Sequence, residues 1–97
     1  MAARSGGNGS KGRNVTFICR EANGAQRVCV VGDFNQWDPE AGRMCKYRDG
    51  TYRAKVSLKP GDYQYKFVVD GVWVNDPEAA TQAVNPYGTL NSVVHVA

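Results

Sequence analysis

The chain has two tryptophans, Trp37 and Trp73, and both fall where the sequence should turn. The first lies in Val31-Gly-Asp-Phe-Asn-Gln-Trp-Asp-Pro39 and the second in Asp70-Gly-Val-Trp-Val-Asn-Asp-Pro77. An indole at a turn is costly to leave in water, so it either caps a core or waits for a flat apolar partner. Lys66 lies just upstream of the second, on the strand face opposite Tyr65 and Phe67. An ammonium beside an indole sets a hydrogen-bond donor next to an apolar plate. A pyranose has an apolar C–H face and a rim of hydroxyls, and such a pair can bury the one and satisfy the other. Gln64, Thr89 and Asn91 offer further polar partners. The same residues also fit a plainer role, with tryptophans filling a core or edge and an outward lysine solvated. Residue chemistry alone leaves both readings open.

The elements that must hold these residues follow a period of two. Val15, Phe17 and Cys19 alternate with Thr16 and Ile18. After a turn at Asn23-Gly24, Arg27 to Val31 is nearly continuous in apolar residues, and Met44 to Tyr47 is a short candidate strand. Asp49-Gly50 signals a hairpin, followed by a strand from Thr51 with Tyr52, Ala54, Val56 and Leu58 on one face. Lys59-Pro60-Gly61-Asp62 reads as a turn. Tyr63, Tyr65, Phe67 and Val69 then share one face, with Gln64, Lys66, Val68 and Asp70 on the other. Asp70-Gly71 turns the chain into a returning strand at Val72 to Val74, which should bring Trp73 to the surface that carries Lys66. Ser92 to Val96 closes the domain. Asp76 to Gly88, with its two prolines, reads as a loop. No segment has a helical period, so the expected fold is all-β, an antiparallel sandwich.

A length of 97 residues allows one domain. The net charge of +3 comes from the first thirteen residues, where Arg4, Lys11 and Arg13 stand without an acid. The remainder is balanced, which argues against nucleic acid as the main partner. Residues 1–13, rich in Gly, Ser and Asn, are expected to be a disordered tail, and residues 14–97 the folded domain. Nothing is apolar enough to cross a membrane or to form a signal-peptide core, so a cytoplasmic location and a monomer are expected. The three cysteines, Cys19, Cys29 and Cys45, have no Cys-x-x-Cys spacing, and neither a zinc site nor a disulfide framework is expected. Pairing of Cys29 with Cys45 stays open, and Cys19 is in phase to be a small buried hydrophobe.

Three runs then match one pattern in order: Val30-Val-Gly-Asp-Phe-Asn-Gln-Trp-Asp-Pro39, Leu58-Lys-Pro-Gly-Asp-Tyr-Gln-Tyr-Lys-Phe-Val-Val-Asp-Gly-Val-Trp73, and Tyr87-Gly-Thr-Leu-Asn-Ser92. Together with Asn75-Asp-Pro77 they resemble the family 48 carbohydrate-binding modules, which include the glycogen-binding domain of AMP-activated protein kinase β subunits and the N-terminal domains of isoamylases and branching enzymes. The resemblance covers about residues 14–97. It implies an immunoglobulin-like, early-set β-sandwich that binds α-1,4-linked glucans such as glycogen, starch or maltodextrin, targeting an associated α-glucan enzyme or kinase subunit. It implies stacking by Trp37 and Trp73 and donation from Lys66, Thr89 and Asn91. Tyr87 stands where the kinase-type modules have a leucine that reaches into the sugar ring. Gly32 to Asn35, Asp70-Gly71 and Asp76-Pro77 become turn-forming residues that aim the tryptophans.

Catalysis by the chain itself has little support. Glycoside hydrolysis normally needs two carboxyl groups flanking one bond. Most acids here sit in turn sequences, where they bond the local backbone, and Asp33 with Asp38 is the best available pair. His95, the single histidine, falls on the closing strand and reads as an edge residue. No cofactor or metal ligand set is implied. The competing reading is a protein-interaction module of the same fold with little or no sugar binding. Whether both indoles are exposed on one face separates the two. A third reading, nucleic acid held by the basic tail, predicts steep salt dependence.

Overall fold

The computed structural model describes residues 12–20, 22 and 24–97. The expected disordered leader therefore lies outside the described residues, apart from its last two positions. Of these, Arg13 already belongs to the first strand. Eight strands follow in order: β1 (Arg13–Cys19), β2 (Val28–Gly32), β3 (Cys45–Lys46), β4 (Tyr52–Leu58), β5 (Gly61–Val69), β6 (Val72–Val74), β7 (Thr81–Val84) and β8 (Leu90–Val96). Among the described residues, one short 3₁₀ helix, Pro39–Ala41, interrupts them. All pairings are antiparallel. One sheet has the order β1-β4-β3 and the other β2-β5-β8-β7, with β6 also on β5. The fold is an all-β antiparallel sandwich of the immunoglobulin-like, early-set type.

β5 organises the second sheet. Its residues 65–69 pair with β2 along one edge, while the opposite edge is shared by β8 over residues 61–65 and by β6 over residues 67–69. This is possible because Asp70 and Gly71 both take positive φ, 48° and 87°, which makes the tight turn whose twist suits a two-residue hairpin. The Asp70 carboxylate also accepts from the backbone N–H groups of Gln26 and Arg27, tying that hairpin to the entry of β2.

The core lies between the sheets. Phe17 and Cys19 of β1, Tyr52 and Leu58 of β4, Val28 and Val30 of β2, and Tyr65 and Phe67 of β5 form one buried cluster. Phe17 packs edge-on to Tyr65 with ring centroids 4.9 Å apart. The alternation in β1, β4 and β5 thus points its apolar members inward, as the sequence predicts. The Tyr65 hydroxyl donates to Asp76 Oδ2 at 2.6 Å. Burial first, and the Asp76 carboxylate second, push its pKa far above the ordinary phenol range, so it stays a donor. Asp76 in turn accepts from the Glu78 N–H, so this carboxylate fixes the turn after β6.

Two expectations need correction. The stretch read as a loop from Asp76 to Gly88 contains β7, whose residues 81–84 pair with residues 90–93 of β8. Three of its four residues are exposed, so it buries no apolar face, and backbone hydrogen bonding to β8 creates it. The turn read at Lys59 to Asp62 ends earlier, because Gly61 and Asp62 already pair with Val96 and His95. Cys29 and Cys45 form no disulfide with each other, Cys29 being buried and Cys45 exposed, and Cys19 is buried as its phase on β1 predicts. His95 is exposed and lies 2.6 Å from Asp62.

Gly42 closes the 3₁₀ helix against β2. A Cβ there would lie 1.8 Å from the Val30 carbonyl oxygen, and Val30 N–H itself donates to the Gly42 carbonyl. Backbone cannot yield as a side-chain tip can. Gly42→Ala should therefore destabilise the domain by about 1–3 kcal/mol, read as a lower midpoint of urea unfolding at unchanged slope.

Candidate binding cleft

The outer face of β5 carries Gln64, Lys66 and Val68. Val68 is paired across the hairpin with Trp73, and Lys66 across to Val31 of β2. Trp73 therefore emerges on the Lys66 side, as expected, and is 46% exposed. Trp37 reaches the same face by another route. It packs over Cys29, Val31 and Val68, a small apolar patch on the outside of the sheet. This explains why all five residues of β2 are buried and why its sequence does not alternate. One side of β2 faces the core and the other is roofed by an indole.

The turn that delivers Trp37 is strained. Gln36 and Trp37 have φ of 53° and 57°, a region that bulky L-residues avoid. Such strain persists only when the surroundings over-determine it, and it concentrates at functional positions. The restraints are visible. Trp37 N–H donates to the Gly32 carbonyl. Asn35 accepts from Gly32 N–H and donates to the Val30 carbonyl, 3.0 Å each. Asp33 grips both sides of the turn, accepting from the Trp37 indole Nε1–H at 3.3 Å and from Gln64 N–H at 2.8 Å. Gly32 to Asn35 thus build the turn.

The result is a pair of indoles 15° from parallel with centroids 6.4 Å apart. Offset aromatic pairs span about 4.5–7 Å, so these rings sit at the wide end and cover little of each other. They form one wall of an open cavity of about 580 Å³. Lys66, Tyr87, Thr89 and Asn91 line it too, so the six residues implied by the resemblance meet at one place with Gln64, the further polar partner read from the sequence, and are joined by Asp33, Asn85 and Pro86. A separate apolar cavity of about 290 Å³ beneath β6 shares none of these residues.

The six differ in what they present. Tyr87 is 90% exposed at the rim. Lys66 is partly buried, and its ammonium has no hydrogen-bond partner among the described residues. Asn91 is buried at 7% exposure, and its amide is already engaged on both ends. Its Nδ2 donates to Gln64 Oε1 at 2.9 Å and its Oδ1 accepts from Asn85 Nδ2 at 3.1 Å. Its second N–H and the second lone pair of Oδ1 are left for a ligand. Thr89 Oγ1 accepts from Asn85 at 2.6 Å and keeps its own O–H to give.

Residues 15–97 match the family described as the glycogen recognition site of AMP-activated protein kinase. The chain belongs to that family. The mouse 5'-AMP-activated protein kinase subunit beta-2 is 34% identical over 79 residues, which cover 81% of this chain and 28% of the subunit. Rice Protein FLOURY ENDOSPERM 6, chloroplastic, is 43% identical over 56 residues, covering 58% of this chain and 10% of that one. The chain thus spans less than a third of these relatives' length. In the crystal structure of a maltogenic amylase from S. marinus, a matching fold has a TM-score of 0.72 at 22% identity, over 87% of this chain and 13% of the amylase. That likeness bears on the fold.

In this member of the glycogen-recognition family, sequence reasoning missed Asn85. Its side chain accepts from the N–H groups of Tyr87 and Thr89 and donates to Thr89 and Asn91. One amide therefore shapes the whole Tyr87–Thr89 turn. The signal was the Asn85-Pro86 dipeptide, a turn initiator that also puts a side-chain acceptor over the next N–H groups. Asp33 was read as a turn residue, and its hold on the indole is visible only in three dimensions. Asp33→Ala should release the ring without unfolding the domain. The expected signs are an upfield shift and broadening of the Trp37 indole N–H resonance, with that of Trp73 changing less.

Proposed function

We propose that this chain binds α-1,4-linked glucans such as glycogen, starch or maltodextrin, without catalysis, on the Trp37–Trp73 surface. The observation that carries the reading is the near-parallel indole pair, Trp73 exposed and Trp37 half-buried, beside the uncommitted Lys66 ammonium. The indoles bury the C–H faces of successive glucosyl units. Lys66, the Thr89 hydroxyl and the remaining Asn91 N–H donate to ring hydroxyls, and Tyr87 adds an aromatic plate at the rim. Membership of a glycogen-recognition family supports the ligand class.

The carboxylates support a binding role. Asp33 has one oxygen on Trp37 and the other on Gln64, and Asp38 caps the 3₁₀ helix by accepting from Glu40 N–H. Neither is poised against a bond in the cleft, whereas hydrolysis needs a flanking pair. The module acts as a monomer that carries an associated α-glucan enzyme or kinase subunit to its polymer. The free thiols of Cys29 and Cys45 suit the cytoplasm. No described helix is long and apolar enough to cross a membrane.

An open platform contacts few rings and leaves hydroxyls partly in water, so short sugars bind with roughly −4 to −7 kcal/mol, a dissociation constant from about millimolar to ten micromolar. Polymers gain by repeated sites. Titration of maltoheptaose, followed by NMR, should shift both indole N–H signals together with the Lys66 and Asn91 amides. Trp73→Ala should weaken binding by about 1–3 kcal/mol and keep the dispersed spectrum of a folded domain. A folded Trp73→Ala protein with undiminished affinity would remove this site assignment. Raising salt from about 50 to 200 mM should leave glucan affinity unchanged, whereas a phosphate-dominated interaction would fall steeply over that range.

A further inference from the structure

Trp73 borders two depressions. The cleft described above takes Gln64 and Lys66 from the outer face of β5, and the second takes Val68, two residues further along the same face. This second depression has a volume of about 210 Å³. It is small beside the pockets of about 300–1,000 Å³ that hold drug-sized ligands, and so suits a single ring. Its floor is Val68 and Cys29, both buried, and Trp73 and Pro39 stand as walls. Its rim carries Arg27 and Glu40, whose Nη2 and Oε2 lie 2.7 Å apart.

An apolar floor, an indole wall and a donor–acceptor pair at the rim repeat the chemistry of the main cleft. Arginine has five N–H donors, and only one of its nitrogens is given to Glu40 here. The carboxylate keeps acceptor sites. Adjacent sugar hydroxyls each donate and accept, so a guanidinium and a carboxylate side by side complement a vicinal diol, with charge-assisted hydrogen bonds. As a fold element the ion pair has little to contribute, because both side chains are exposed.

We propose that the Arg27–Glu40 depression is an additional glucosyl subsite, occupied by the unit of a linear α-glucan that runs past Trp73. The inference rests on the glucan reading of the main cleft. It makes the recognition surface longer than the tryptophan pair, with the far unit held through its hydroxyls by Arg27 and Glu40. Short oligosaccharides fill the main cleft alone, and longer ones reach both.

Calorimetric titration of maltotriose and maltoheptaose into the wild-type protein and into the Arg27→Ala/Glu40→Ala variant tests this. Wild type should bind maltoheptaose more tightly than maltotriose. The variant should lose about tenfold toward maltoheptaose, the equivalent of one good charged hydrogen bond, and keep its maltotriose affinity. The Arg27 Nε–H resonance of wild type should shift with the longer sugar only. An unchanged maltoheptaose affinity in the variant overturns the subsite, as does an equal loss toward both sugars. Absence of binding of either sugar to the wild type overturns the glucan reading itself, and the subsite with it.

Discussion

The Trp37 indole over the outer face of β2 and β5 is the contact on which the rest of the arrangement depends. Cys29, Val31 and Val68 are apolar on the side of the sheet that would otherwise face water. Covering them gains the hydrophobic term, of order 25 cal/mol per Å². That gain offsets the cost of holding Gln36 and Trp37 at positive φ. The same ring, fixed by Asp33 and by its own backbone, then offers its outer surface beside Trp73. One side chain thus covers the sheet and lines the cleft, and its position is fixed by the fold itself.

Preorganisation continues through the polar side of the cleft. Gln64, Asn91, Asn85 and Thr89 form a continuous hydrogen-bonded chain between β5 and the turn after β7. Each amide has a partner, so the donors left over point in set directions. A ligand that uses them has little side-chain entropy to remove, which matters for an open site where few contacts are made. Lys66 is the flexible exception among these groups, an ammonium on a long stem beside two fixed indoles.

Much of this was legible in the sequence. The period of two in β1, β4 and β5 named the core faces, and Asp70-Gly71 named the hairpin that turns Trp73 outward. The motif runs around Trp37, Lys66 and Asn91 gave the six cleft residues. Less legible were features without a local signature. β7 shows no alternation because it buries no face, and its strand conformation comes from pairing to β8. Asn91 reads as a free amide in one dimension, yet it is buried and bound on both ends.

By itself, the sequence determined the strands with a buried face, the tight turns and the identity of the aromatic and amide groups. These depend on interactions within a few residues, namely side-chain alternation and the φ demands of Asp-Gly turns. Tertiary structure decided what those groups face. Gln64 meets Asn91 across 27 positions of chain, Asp70 meets Arg27 across 43, and Asp33 meets Gln64 across 31. The continuous apolar run of β2 was visible, but its reason, an indole on one side and a core on the other, was not. Long-range pairing register sets such meetings, and no local pattern encodes it.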